Sequence, residues 1–238
     1  AVLEPPKRVF AHGWWTNEGQ KISKSLGNVI DPYDLVRRYG LDQVRYFMLR
    51  EVPFGNDGDF SHRSMVQRMN SELANDYGNL VQRVLSMIAR NCGGLVPEPG
   101  PLTAEDDELL RAVTDLLPKL RNTMDAQLFH EGLEAVWVVV RAANGYVDRQ
   151  APWALRKTDE ARMRTVLYVL AETIRNLALY TLPVMPTASD AILDQVGVDP
   201  AQRSFATVGQ GGRLVPGTAL PKPAGVFPRF VDEADASA

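Results

Sequence analysis

The sequence predicts a mainly α fold, with a short α+β stretch over residues 1–62, a helical bundle over 63–200 and an extended tail over 201–238. Three observations lead there. The longest regular pattern, from about Ser64 to Cys92, repeats apolar residues at helical spacing. Further apolar-periodic segments follow as far as Thr181, punctuated by Gly and Pro rather than by strand turns. Residues 1–60 are mixed in pattern, with strand-like and turn-rich chemistry, and the rest is mostly helical as far as the tail.

In order along the chain, Arg8-Val9-Phe10-Ala11-His12 reads as a short strand, and Gly13 to Gly27 reads as a mobile loop because it is rich in Gly, Ser, Thr, Asn and Lys. Asp31-Pro32 opens a helix whose apolar positions are Leu35, Val36 and Tyr39, and Gly40 closes it. A second short helix runs from Leu41 to Arg50. Phe54 to Phe60 is a turn-rich separator, and Ser61 is placed to cap the next helix. On that long helix Leu73, Tyr77, Leu80, Val84 and Ile88 form a core stripe, with Val81 and Leu85 beside it. The opposite stripe, Asn79, Arg83, Ser86 and Arg90, must face solvent or a ligand. Thr103, followed by acidic residues, is an expected N-cap for a helix carrying Leu109, Leu110, Val113, Leu116, Leu117 and Leu120, which Pro118 should kink. A third helix runs from about Glu131 to Arg149 on Leu133, Trp137, Val140 and Val147, and stops before Pro152. A fourth covers about Thr158 to Thr181, ended by Pro183 and Pro186, and a short helix over Ala188 to Val196 follows. The glycines and prolines beyond it predict an extended tail or small hairpin.

Composition narrows the class. With 238 residues, 45% hydrophobic and 23% charged, the chain is long enough to bury a sizeable core and has ordinary globular composition. Apolar runs stay short of the roughly 18 residues of a membrane span and no signal peptide is visible, so a cytoplasmic protein is expected. The single cysteine, Cys92, cannot form an intrachain disulfide, and His12, His62 and His130 have no metal-ligand spacing, so no metal site is expected. A net charge of −3 gives no global attraction to nucleic acid, and any RNA contact must come from a local positive face. The start at Ala1, without methionine, suggests a fragment or a processed chain.

The most specific local signal is Lys21-Ile22-Ser23-Lys24-Ser25, followed by Leu26-Gly27-Asn28. Two ammonium groups three residues apart, between small hydroxyl side chains and flanked by Gly19 and Gly27, suit a polyphosphate, although lysines on a solvated surface loop look the same out of context. In context the pentapeptide resembles the KMSKS signature loop of class I aminoacyl-tRNA synthetases, with isoleucine for methionine. The flanks resemble the methionine enzymes of that class: Val9 to Thr16 before the loop, then Gly40-Leu41-Asp42 with Arg45-Tyr46-Phe47, then Phe54 to Ser61. The resemblance covers about residues 9–228.

That resemblance implies the end of a Rossmann-like catalytic domain with a stem-contact element over 1–62, followed by an α-helical bundle that binds the anticodon. It implies ATP and methionine as substrates, with Mg2+ in the complete enzyme, and tRNA bearing the methionine anticodon as partner. Lys24 and Lys21 become the catalytic lysines, and Lys21, Ser23, Lys24 and His12 the ATP-binding set. His12 either touches the adenine or only ends a strand. Ala151-Pro152-Trp153 supplies the tryptophan that meets the anticodon, and Arg90 the arginine, each of which could instead be structural: a partly buried bundle tryptophan and a salt-bridged surface arginine. Ser86 stands where the family has an asparagine, so one base contact departs from the pattern. Trp137 is expected in the core, and His62 and His130 as surface or capping residues. No pair of histidines has the histidine-x-glycine-histidine spacing that the class I reaction also uses, so the missing N-terminal half is an expected partner and the chain alone is not expected to be catalytic. The alternatives are a noncatalytic tRNA-binding or assembly module and a ligase for another amino acid.

Overall fold

The computed structural model describes residues 4–232; residues 1–3, and 233–238 of the expected tail, lie outside them. The N-terminal part holds a three-stranded sheet in the order β2-β1-β3, made of β1 (Trp15–Asn17), β2 (Gln20–Lys21) and β3 (Gly58–Phe60). β1 and β2 form a tight antiparallel hairpin, and β1 pairs with β3 in parallel, with Trp15 opposite Gly58 and Asn17 opposite Phe60. The strand expected at Arg8–His12 is absent. That segment is exposed, with Val9 85% accessible, and no strand lies beside it among the described residues. A strand exists only where a neighbour takes up its backbone donors and acceptors, and for this chain that neighbour is Gly58–Phe60, paired with residues a few positions later. Two further expectations change with it. Gly13 to Gly27 is a hairpin followed by a 3-10 turn at Lys24–Leu26, and the separator over 54–60 ends in a strand.

The next elements match the sequence closely. α1 (Pro32–Tyr39) is capped by Asp31, whose carboxylate accepts from the Tyr33 N–H at 2.8 Å, and α2 (Leu41–Arg50) follows at once. Leu35, Tyr39, Phe47, Phe60, Met65 and Met69 form a small core beneath the sheet. Ser61 caps α3 (His62–Arg68), accepting from the Ser64 N–H at 3.1 Å. α3 continues without a break through a π-helical stretch, Met69–Gly78, into α4 (Asn79–Asn91). All seven residues of the expected core stripe and its flank are buried: Leu73, Tyr77, Leu80, Val81, Val84, Leu85 and Ile88.

The bundle is completed by α5 (Ala104–Thr114), α6 (Leu116–Asp125), α7 (Phe129–Gln150), α8 (Pro152–Thr158), α9 (Glu160–Thr181) and α10 (Pro186–Gln195). Thr103 caps α5 through a reciprocal capping box with Asp106. The helix expected to run through Pro118 with a kink is instead two helices separated at Asp115, with Pro118 in the first turn of α6. A proline there needs no intrahelical N–H partner, so the break falls ahead of it. The fourth expected helix is α9, and a short helix that the sequence did not suggest, α8, fills the stretch between it and α7. α9 is buried on nearly every side from Met163 to Thr181 and packs on α4, α5, α7, α8 and α10, which makes it the central helix.

The two parts are joined by bonds as well as by chain. Asp42 of α2 accepts from the Ala188 N–H at 2.6 Å, and Arg45 donates to the carbonyls of Pro183 and Val184, both at 2.8 Å. Glu72, in the π-helical stretch, accepts from Tyr46, Arg50 and Arg68. The tail is extended only in its later part: it begins with 3-10 turns at Pro200–Gln202, Phe205–Thr207 and Gly209–Gly212, after which Thr218 and Leu220 pair with the backbone at Val96 and Gly94, Phe227 packs on Tyr77, and Phe230 exchanges two hydrogen bonds with Asn70. No helix is long and apolar enough to cross a membrane among the described residues.

Candidate functional site

Two surfaces carry the candidate residues. At the first, the hairpin delivers Lys21 at the end of β2, and the chain turns at Ser23. The Ser23 hydroxyl caps the 3-10 turn, accepting from the Ser25 N–H at 3.2 Å, and lies 2.7 Å from the Ser25 hydroxyl. Asn28 closes the loop from the other side. Its Oδ1 accepts from the Ser23 N–H at 2.8 Å and its Nδ2 donates to the Lys21 carbonyl at 3.0 Å, while its own carbonyl accepts from Asn17 at 3.0 Å. Gly27, at φ +66°, makes the left-handed exit. The result is a shaped loop with Lys21 and Lys24 both exposed, and neither ammonium has an ion-pair partner among the described residues. Asn28, with no role assigned from sequence, is the residue that shapes the loop; its place in a Gly-Asn pair just after the lysines was the available signal.

An open cleft of about 720 Å³ beside the loop is lined by Trp14, Trp15, Thr16, Lys21 and Ile22. His12 lines a neighbouring hollow with Trp15, Phe54 and Asn56, so the histidine and the lysine loop meet through Trp15. The His12 Nδ1–H donates to the Gly13 carbonyl at 2.8 Å, and its ring lies 5.8 Å from that of Phe54. His12 does not end a strand. Gly13 is required here by close approach, since a Cβ would stand 2.3 Å from the Asn56 backbone. His62 is no free surface residue: it is hydrogen-bonded between Tyr39 and Asp232.

The second surface lies where α4 meets the turn between α7 and α8. α7 ends at Gln150, and Ala151 takes φ +44°, ψ 58°, with its N–H on the Val147 carbonyl at 3.0 Å. This left-handed alanine costs roughly 1–2 kcal/mol, and it reverses the chain so that α8 starts at Pro152 with Trp153 projecting. Trp153 is 47% exposed, whereas Trp137 is fully buried as expected. The polar stripe of α4 does face outward: Arg90 is exposed near the helix end and has no ion-pair partner among the described residues, while Ser86 is half-buried one turn earlier. The stripe touches Trp153 through Arg83, whose guanidinium lies 5.7 Å from the ring centroid. No hydrogen bond or cation–π contact joins Trp153 to Arg90 or Ser86 among the described residues. Gln82 donates its side-chain amide to the Ser86 hydroxyl at 3.2 Å, so an amide stands one turn from where the family pattern has one. In the sequence Arg83 is only one polar position of the stripe and Gln82 carries no distinguishing mark, because neither contact has a signature in residue spacing.

A cationic loop on a small sheet, joined to a helical bundle with an exposed indole beside arginines, is the arrangement of a class I tRNA synthetase, and residues 1–85 match the family model described as tRNA synthetases class I (M). Residues 96–237 match the anticodon binding domain of methionyl tRNA ligase. The chain therefore belongs to the methionyl-tRNA ligase family. It is 50% identical over 234 residues to the methionine–tRNA ligase of Mycobacterium leprae, covering 97% of this chain and 43% of that protein. It is 51% identical over 238 residues to the ligase of Mesorhizobium japonicum, covering all of this chain and 46% of that protein. The solved Mycobacterium tuberculosis methionyl-tRNA synthetase in complex with methionyl-adenylate superposes with a TM-score of 0.91 at 52% identity, over 95% of this chain and 45% of that one. The chain thus spans a little under half the length of the relatives it matches.

Proposed function

We propose that this chain is the C-terminal portion of an ATP-dependent methionine–tRNA ligase, with residues 1–62 ending the catalytic domain, 63–200 reading the anticodon and 201–238 forming the tail. In this reading the complete protein is cytoplasmic, and its missing N-terminal half holds the rest of the nucleotide site. Lys24 and Lys21 act on the phosphates of ATP while methionyl-adenylate forms, with Ser23 and His12 completing this chain's share of the site. Their electrostatic role is strongest as charge moves onto departing pyrophosphate. Mg2+ enters with ATP: the loop presents ammonium groups rather than oxygen ligands, so it fits the phosphates and not the cation.

The observation that carries the tRNA half of the reading is the half-exposed Trp153 beside the outward α4 stripe that ends in the exposed Arg90, which has no ion-pair partner among the described residues. An indole presented this way stacks on an unstacked base, and a free guanidinium offers a planar donor fork to a base edge. Ser86 contributes a hydroxyl on the same face. Trp153→Ala therefore removes a platform worth ~1–3 kcal/mol, and binding of tRNA with the anticodon CAU falls roughly ten- to a hundredfold. Arg90→Ala acts similarly. The test is a titration of wild type and each variant against tRNA with the matched and with a mutated anticodon. The loss should shrink sharply on the mutated tRNA, because base contacts carry the sequence information. Equal losses on both would make Trp153 a support of the bundle and not a reader.

A further inference from the structure

The bundle holds a hollow of about 260 Å³ that is lined by neither the lysine loop nor α4. It lies between α6, the first turns of α7 and the end of α9, with Phe205 of the tail at its edge. Leu120, Leu133, Val136, Tyr180 and Val184 are buried and give it an apolar floor. Tyr180 adds no free polar group, because its hydroxyl donates to the Val113 carbonyl at 2.8 Å. An apolar cavity of about 150 Å³ takes up a benzene ring, so this one has room for a ring or a branched chain on a short stem. It is smaller than the roughly 300–1,000 Å³ pockets that hold drug-sized ligands, so its occupant is small.

Two opposite charges stand at its mouth. Arg121 and Asp125 both line the hollow, both are exposed, and they lie one turn apart on one face of α6. Neither has an ion-pair or side-chain hydrogen-bond partner among the described residues, and they do not pair with each other. Their order explains this: an acid four residues ahead of a base suits the helix dipole, and a base ahead of an acid does not. Asp125 is also the last residue of α6, whose final turn holds no basic residue, so the negative end of that helix lacks a cation. We propose that this hollow binds a free amino acid with a bulky apolar side chain. The α-carboxylate meets the Arg121 guanidinium, whose planar fork matches it, and the α-ammonium meets Asp125 at the helix end. The side chain enters among Leu120, Leu133 and Val136. A purely apolar ligand leaves both charges unused, and an internal peptide segment has no charge pair beside its side chain.

The test uses the full-length ligase with its catalytic methionine site filled by a non-hydrolysable methionyl-adenylate analogue, so that only a second site reports. Phenylalanine is titrated by saturation-transfer NMR beside 3-phenylpropionate, which lacks the ammonium, phenethylamine, which lacks the carboxylate, and benzyl alcohol, which lacks both. Phenylalanine should bind with a Kd on the order of 0.1–1 mM, the range for a ligand of about twelve non-hydrogen atoms. Each analogue should bind more weakly, by about three- to tenfold for each missing charge. Arg121→Ala should weaken phenylalanine by a similar factor and leave phenethylamine unchanged. Asp125→Asn should weaken phenylalanine and leave 3-phenylpropionate unchanged. Both side chains are exposed, so both variants should keep the wild-type melting temperature. Benzyl alcohol binding as tightly as phenylalanine would make the hollow a merely apolar cleft and overturn the proposal. Phenylalanine binding that neither variant weakens would place the ligand elsewhere and overturn it too, as would no saturation transfer up to about 10 mM.

Discussion

The hydroxyl of Ser23 is occupied in capping the turn that Lys24 begins, whereas the Lys24 ammonium is free in solvent beside the cleft. Neighbouring residues of one signature therefore carry different loads. Lys24→Ala should slow adenylate formation by orders of magnitude in the complete ligase and leave tRNA affinity largely intact, since its charge is needed mainly in the transition state. Pyrophosphate exchange that stayed within about twofold of wild type would remove the assigned role. Ser23→Ala should cost less, of the order of the ~1 kcal/mol of a lost cap, because the Ser23 backbone bonds, to the Asn28 side chain and from the Leu26 N–H, still shape the loop. The lysines were legible in the sequence because charge, spacing and flanking glycines are local features. The Asn28 clamp was not, since its partners at Asn17, Lys21 and Ser23 are fixed only once the hairpin has formed.

Between elements, the best-defined polar junction is Asp106. The carboxylate caps α5 at Thr103 and also accepts from Tyr146 of α7 and from Arg162 of α9, at 2.7 Å for one of the arginine bonds. Burial by itself raises its pKa; the Arg162 guanidinium, the Thr103 N–H and the Tyr146 hydroxyl together outweigh that and hold it down at about 2, below its ordinary 3.8. A carboxylate with a depressed native pKa contributes stability that is fully present above its unfolded value and is lost as the pH falls through the native one. Asp106→Asn should therefore destabilise the protein by about 2–3 kcal/mol at neutral pH, and the gap from wild type should close between about pH 4 and pH 2. Urea midpoints of the two proteins across that range measure it, and a gap unchanged at the acid end would mean that the carboxylate charge is not what matters. The capping half of this junction was readable from Thr103 and its acidic followers. The inter-helix half was not, because residues 40 and 56 positions away complete it.

For the whole molecule, the bonds from α2 to the segment around α10 and the Glu72 cluster make the lysine-loop part and the bundle one packed body. Packing does not supply the chemistry that is missing. The isolated 238-residue chain should show no methionine-dependent ATP–pyrophosphate exchange, because none of its three histidines can form the histidine-x-glycine-histidine element, while its bundle should unfold cooperatively. Exchange by the pure chain, at a level that Lys24→Ala abolishes, would contradict this. The sequence by itself determined the helical class, the family, the buried stripes of α4 and α7 and the α1 and α2 boundaries, because helical periodicity, caps and signature loops are written within a few residues of one another. The tertiary structure alone decided that β1 pairs with β3 instead of a strand forming at Arg8–His12, that α5 parts from α6 at Asp115, that a short α8 forms between α7 and α9, and that Arg83 rather than Arg90 touches Trp153. Each of these depends on partners distant in sequence or on the local balance of backbone bonds, and residue spacing along one chain does not encode which distant groups will meet.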